Sequence, residues 1–234
     1  MTDVTAATAA TGKTHPQPPS DPYRNGTRAS YDALAAEYHD YFREELKSWT
    51  LGRAILAAYA ELVRGKGPVL DVGCGTGGAT AQLHDLGVPI RGIDLSPGMV
   101  ESARTHHPHL RFDVGDMTAP LDVPDASLGG VVAWYSTIHV RPADLPGVFA
   151  EFHRVLAPGG QLLLGFQVGD DVRHMTEALG HEVDLHFHRW QPARVTEQLR
   201  EVGFTSLAHL VRDPYEGERT PHAHLLAAKP QGAA

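Results

Sequence analysis

Short apolar runs alternate with helical stripes from Pro68 to Ala228, and that alternation predicts a doubly wound α/β domain with a mostly parallel sheet and helices on both faces. The first run, Val69–Val72, empties into a loop of glycines, where an open parallel sheet meets its ligand. The second run, Ile90–Asp94, is followed by Ser96-Pro97, a capping residue before a proline and a strong helix start.

The remaining elements follow in order. Ser30 is read as the cap of a first helix, with Tyr31, Leu34, Ala35, Tyr38 and Phe42 on one face. A second helix covers 51–63 and stops at the turn Gly65-Lys66-Gly67-Pro68. A helix over 79–86 ends at Gly87, and Pro108 closes the helix that Ser96 opens. Strands are expected at 110–114 and 130–135. The stripe Leu145, Val148, Phe149, Phe152, Leu156 is a helix ended by Pro158-Gly159-Gly160, with a strand at 161–167. Beyond it the sequence predicts a helix over 170–180, an alternating strand over 183–190 and a helix over 192–202 stopped by Gly203. Strands at 204–211 and 222–228 complete the chain.

Residues 1–28, rich in Thr, Ala and Pro, read as a disordered arm; residues 29–230 form a single domain. The whole has 234 residues, enough for one continuous core. The apolar share of 42% and charged share of 21% are those of a globular protein, and no apolar run reaches the ~20 residues that cross a bilayer. The net charge of −8, with no concentration of Lys and Arg, disfavours nucleic acid as a partner. Cys74 is the only cysteine, and the N-terminus lacks a signal-peptide core, so a cytoplasmic protein is expected. The 15 histidines lie all along the chain and carry no individual meaning by their number.

The central motif is Val69-Leu-Asp-Val-Gly-Cys-Gly-Thr-Gly77. Its glycines let a ligand approach the backbone, and the helix that follows aims amide groups at a negative group. Seventeen residues past Gly77, Asp94 ends the second strand, placed to accept bonds from two ribose hydroxyls. The pattern marks a nucleoside site, but Gly73, Gly75 and Gly78 also satisfy the dinucleotide fingerprint. Three features break that tie: Asp71 inside the first strand, Asp116-Met117 after the third, and the helix–turn–strand unit Leu156-Ala-Pro-Gly-Gly-Gln-Leu-Leu-Leu164.

With these motifs in order from Tyr31 to Lys229, the chain resembles the class I S-adenosylmethionine-dependent methyltransferases of small-molecule type. The resemblance implies a seven-stranded sheet with its last strand antiparallel, and S-adenosylmethionine as cofactor, leaving as S-adenosylhomocysteine. It implies that Asp71, Gly73, Cys74 and Gly75 face the methionine portion and ribose. Asp94 would bind the ribose, Leu95 cover the adenine, and Asp116 and Met117 lie beside the adenine's exocyclic amine. Trp134-Tyr135-Ser136 would border both cofactor and acceptor. The helices of 29–66 would form a lid that brings Tyr31 and Tyr38 to the site, although both tyrosines equally suit the core face of an amphipathic helix. The segment 170–190 would line the acceptor pocket.

A hydroxyl or ammonium acceptor must lose a proton, a task suited to histidine. His139, five residues past Trp134, is the candidate base; a packing or capping role weighs equally. His186 and His188 share a strand face with Trp190 and read as substrate-facing, Tyr31 and Tyr135 likewise. No carboxylate spacing completes a metal set with those histidines, so no metal is expected. Cys74 reads as small and buried, without a reactive role, and His222 and His224 as exposed surface. These readings favour transfer to oxygen or nitrogen of a small molecule in specialised metabolism. A carbon acceptor such as a quinone ring, or a non-catalytic nucleoside-binding protein, are the alternatives.

Overall fold

The computed structural model describes residues 21–232. Seven strands form one sheet in the order β3-β2-β1-β4-β5-β9-β8. They are β1 (Val69–Val72), β2 (Ile90–Asp94), β3 (Phe112–Val114), β4 (Leu128–Trp134), β5 (Leu156–Gln167), β8 (Thr205–Arg212) and β9 (His222–Ala228). Neighbours from β3 to β5 pair in parallel; β9 runs antiparallel between β5 and β8. Both the seven strands and the reversed last one match the expectation.

Each face of the sheet is sealed by helices because the central strands are apolar on both sides. Leu70, Val131, Leu162 and Leu164 pack on one face against Phe149 and Phe152 of α5 (Leu145–Val155) and Val195 and Leu199 of α6 (Pro192–Glu201). On the other, Val69, Val132 and Leu163 meet Leu56, Tyr59 and Val63 of α2 (Thr50–Val63) and Leu83 of α3 (Gly78–Asp85). Each such buried side chain contributes about 1.5–3 kcal/mol.

Tyr59 is the tightest joint. Its hydroxyl reaches the carbonyls of Val131 (3.1 Å) and Gln161 (3.3 Å), passing over Gly130, where an added Cβ would stand 2.3 Å from the phenolic oxygen. Gly130→Ala is therefore expected to destabilise the fold by about 1–3 kcal/mol through overpacking. In denaturant melts, Tyr59→Phe should recover part of that loss in the double variant. Simple additivity of the two changes would mean the contact does not constrain the joint.

The first helix, α1, spans Pro22–Ser48, so residues 22–28 are helical and the expected arm is shorter; residues 1–20 lie outside the described residues. Ser30 is not a cap. Asp21 takes that place, accepting the Tyr23 amide at 3.1 Å with Pro22 next, and Ser30 Oγ donates to Gly26 O within the helix. Ser96 does cap α4 (Pro97–His106), accepting from Met99 N at 3.0 Å. Asp32 of α1 receives Ser96 Oγ and Gly98 N, which ties α1 to the start of α4.

The second correction concerns 170–180, which is not a helix. Val172–Ala178 is strand β6, paired antiparallel with β7 (His181–His188) as a separate two-stranded sheet. Leu179 and Gly180, at φ +49° and +82°, form the two-residue turn that right-handed strand twist favours. Arg, Met, Glu and Ala in β6 are helix formers, and the strand exists because its inner face packs on α1. Met175, Val183, Leu185 and Phe187 meet Tyr31, Leu34 and Ala35 there.

Candidate active site

A cleft of about 1140 Å³ opens along the C-terminal ends of β1, β2 and β4, roofed by α1 and the β6–β7 hairpin. Its wall contains Tyr31, Tyr38, Asp71, Gly73, Cys74, Gly75, Asp94, Leu95, Asp116, Met117, Trp134, Tyr135 and His139. The sequence expectation thus gathers in one place, with two exceptions treated below.

At one end the glycine loop turns beneath the helix start of α3. Gly73 sits at φ +74°, and a Cβ there would come 2.3 Å from Ser136 Cβ, so only glycine fits. Ser136 Oγ donates to Val72 O at 2.6 Å and holds the loop after β4 against β1. Asp94 fixes the loop from the next strand. Its Oδ2 accepts Gly75 N at 2.7 Å and its Oδ1 accepts Ser96 N at 2.9 Å; burial nonetheless holds its carboxyl above the usual range. Asp71 is fully buried and accepts Thr80 Oγ1 at 2.6 Å through Oδ2, while Oδ1 has no partner. Burial pushes this carboxyl up to about 7. An unfilled acceptor in a buried carboxylate favours a donor with positive charge.

Asp116 is engaged on both oxygens. Thr118 donates to Oδ1 from its amide and hydroxyl, and Arg24 of α1 pairs with Oδ2 at 2.8 Å. Arg24 was not foreseen; it links the roof to the rim of the site. Cys74 is buried against Val100, Ala103 and Phe112, and burial raises its thiol well above the ordinary value, which leaves it inert.

At the other end His139 closes a short 3₁₀ turn, Thr137–His139. Its Nδ1 lies 3.0 Å from the carbonyl of His186, which can only accept, so the proton is on Nδ1. Nε2 is then a bare acceptor, and Tyr31 Oη donates to it at 2.6 Å. Burial pushes the imidazole down to about 4 and the Tyr31 phenol well up, so at neutral pH the pair is a neutral imidazole and a neutral phenol.

Tyr135, at φ +56°, sends its hydroxyl to His222 Nδ1 (2.8 Å) and His224 Nε2 (3.3 Å). Both histidines are buried, contrary to the expected exposed surface, and both are pushed down to about 4 by desolvation. The reason is packing. Pairing with β5 and β8 covers only the edges of β9; the face that carries His222 and His224 is covered by Trp49, Trp134 and Tyr135.

His186 and Trp190 do not line the cleft. His186 stacks on His174 across the hairpin (4.2 Å) and lies 3.8 Å from Asp184, whose Oδ1 also meets His174 Nε2 at 2.7 Å. These three groups lie within 4.8 Å of one another, a carboxylate and two histidines that sequence spacing did not join. Trp190 is buried in the main core, stacked on His188. Odd-numbered residues of β7 face α1 and the cleft, which leaves His186 on the other face and contributes only its carbonyl.

Residues 69–160 match the family described as "Methyltransferase domain". That match runs from β1 into β5 and takes in the glycine loop, Asp94 and Asp116. The chain is 30% identical over 110 residues to malonyl-[acyl-carrier protein] O-methyltransferase of Serratia marcescens, covering 47% of this chain and 42% of that one. It is 38% identical over 96 residues to demethylmenaquinone methyltransferase of Beutenbergia cavernae, covering 41% and 39%. The chain thus spans less than half the length of these two curated relatives. The solved magnesium protoporphyrin IX methyltransferase of Synechocystis PCC 6803, with bound SAM, superposes at a TM-score of 0.69 with 13% identity. That likeness covers 91% of this chain and 100% of the other, and shows the fold. Among the described residues no helix is long and apolar enough to cross a membrane.

Proposed function

We propose that the chain transfers a methyl group from S-adenosylmethionine to an oxygen or nitrogen of a small-molecule acceptor. One observation carries this reading: one cleft joins a nucleoside-type end to an end with a neutral Tyr31–His139 pair and aromatic walls. The residues fit the cofactor. Asp71 Oδ1 is an unfilled acceptor for an ammonium, the Gly73–Gly75 backbone allows close approach, and each Asp94 oxygen retains a second lone pair for a hydroxyl. Leu95, Met117 and Tyr38 supply the apolar cover of that end.

The cofactor supplies a methyl on a sulfonium, a leaving group already poised for displacement. The chain has to align the acceptor, keep water out and take a proton. Tyr31 and His139 form the route for that proton: an acceptor X–H gives it to the phenolic oxygen as the phenol passes its own to Nε2. Trp134, Tyr135 and Phe187 wall the acceptor's side. Asp116 Oδ2 accepts one bond, from Arg24, and keeps a second lone pair for a nucleobase amine. A carbon acceptor remains the second reading because an imidazole with a pKa near 4 is a weak base, and an activated carbon needs less help. A role in specialised metabolism belongs to the same proposal and is supported by the aromatic wall of the cleft, which suits a small-molecule acceptor.

S-adenosylhomocysteine is expected to raise the melting temperature, since a ligand that binds only the folded state stabilises it. NAD at the same concentration should leave it unchanged. The reverse pattern would remove the methyltransferase reading of the cleft.

A further inference from the structure

Three arginines on the acceptor side of the cleft have no anionic partner among the described residues. Arg53 stands on α2 in the cleft wall, next in sequence to Gly52, which meets Trp49 and Trp134, and its Nη1 is buried without a hydrogen bond among the described residues. Arg173 stands on β6 directly across from Phe187, whose ring lies 4.8 Å from His139. Arg219 projects from the loop between β8 and β9, which borders the cleft through Gly217, Glu218 and His222. The other cleft arginines are matched: Arg24 with Asp116, Arg43 with Asp40, Arg141 with Asp21 and Asp144, and Arg189 with Asp171.

The acids nearby offer no relief. Asp21, Asp144 and Glu218 are held by Arg141 and Arg212, and Asp71, Asp94 and Asp116 belong to the cofactor end. Glu177 is four residues along β6 from Arg173, about 13 Å away in an extended strand, beside Ala178 and Leu179, which pack toward α1. Burial and the charges of Arg219 and Arg189 hold Arg173 below the usual guanidinium range, so these cations repel one another.

Unmatched cations gathered around a concave, partly apolar site cost stability unless a ligand supplies the opposite charge. We infer that the acceptor carries an anionic oxy group, a carboxylate or a phosphate, seated on Arg53, Arg173 and Arg219 as an anchor. The nucleophilic atom is a separate oxygen or nitrogen that this anchor presents to Tyr31 and His139. A planar guanidinium fork matches either anion in two parallel bonds, which fixes orientation as well as position. The inference names the acceptor class of the proposed methyltransferase, and its test does not depend on turnover.

The test is calorimetric titration of the full chain, saturated with S-adenosylhomocysteine, using succinate and inorganic phosphate in separate arms and glycerol as the uncharged control. One anion should bind with an affinity that falls as salt rises, and the preferred arm identifies carboxylate or phosphate. Arg173→Gln and Arg53→Gln should each weaken that anion at least tenfold and leave S-adenosylhomocysteine affinity unchanged. Arg173→Gln should also hold or raise the melting temperature, because a repelled cation is removed. Failure of both anions to bind, or equal binding by the glutamine variants, would overturn the anionic anchor. Loss of S-adenosylhomocysteine binding in the parent chain is a failure of the methyltransferase reading instead, and the anion arms are then read without it.

Discussion

Replacing His139 with alanine is expected to lower kcat by about 10²–10⁴-fold, the range for a lost general base. The structure adds a pH signature. Only the neutral imidazole can take a proton, and burial pushes His139 down to about 4. Activity therefore stays level as pH falls from 8 through 6.5 and drops only as it approaches 4, far below the limb an ordinary histidine gives. Tyr31→Phe should reproduce most of the loss in kcat, since Tyr31 Oη is the group that fills Nε2. Cofactor affinity should hardly move in either variant, because the glycine loop and Asp94 lie on other strands. If His139 merely props α1 through Tyr31, both variants melt earlier and the folded remainder turns over at a near-normal rate. A carbon acceptor gives a smaller loss with a shallow pH profile.

The geometry of the proposed cofactor end was legible in the sequence because its parts are local. Glycines 73 to 78, Asp94 at a strand end and Ser96-Pro97 are each set by short-range backbone rules, and each stands where those rules place it. The acceptor end is built from long-range contacts, and there the sequence misled in three places. Helix-forming residues in β6 concealed a hairpin whose register brings Arg173 beside Phe187 and His174 beside His186. The alternation of β7 was read correctly as a strand, but which face meets the cleft is decided by α1, and it turned His186 away. His222 and His224 looked like surface because two polar residues in an alternating strand usually are; burial came from Trp49, Trp134 and Tyr135, distant in sequence, which pack on that face of β9. One missed signal was present in the chain. Asp21-Pro22 repeats the capping pattern of Ser96-Pro97, and a reading that trusted it over the surrounding Pro and Thr would have started α1 correctly.

Asp94→Ala is expected to weaken S-adenosylhomocysteine by about 2–3 kcal/mol, roughly 30- to 150-fold in Kd, by removing charge-assisted bonds. Two losses combine. The carboxylate no longer accepts hydroxyls of the ligand, and the amides of Gly75 and Ser96 lose the oxygens that hold them at 2.7 and 2.9 Å. The second loss loosens the glycine loop itself, so the ligand must reorder it on binding. The sheet survives, because β2 is kept by its backbone pairing to β1 and β3. Asp94→Asn separates the two contributions poorly but informatively. Its single carbonyl oxygen can satisfy one amide, while its NH₂ group opposes the other, since two donors cannot bond to each other. Asparagine should accordingly be nearly as damaging as alanine, although it is almost the same size. Calorimetry with S-adenosylhomocysteine, alongside melting curves for both variants, gives the answer. An asparagine variant that binds like the parent chain would mean that shape alone holds the loop, and an alanine variant that does so would take Asp94 out of the site.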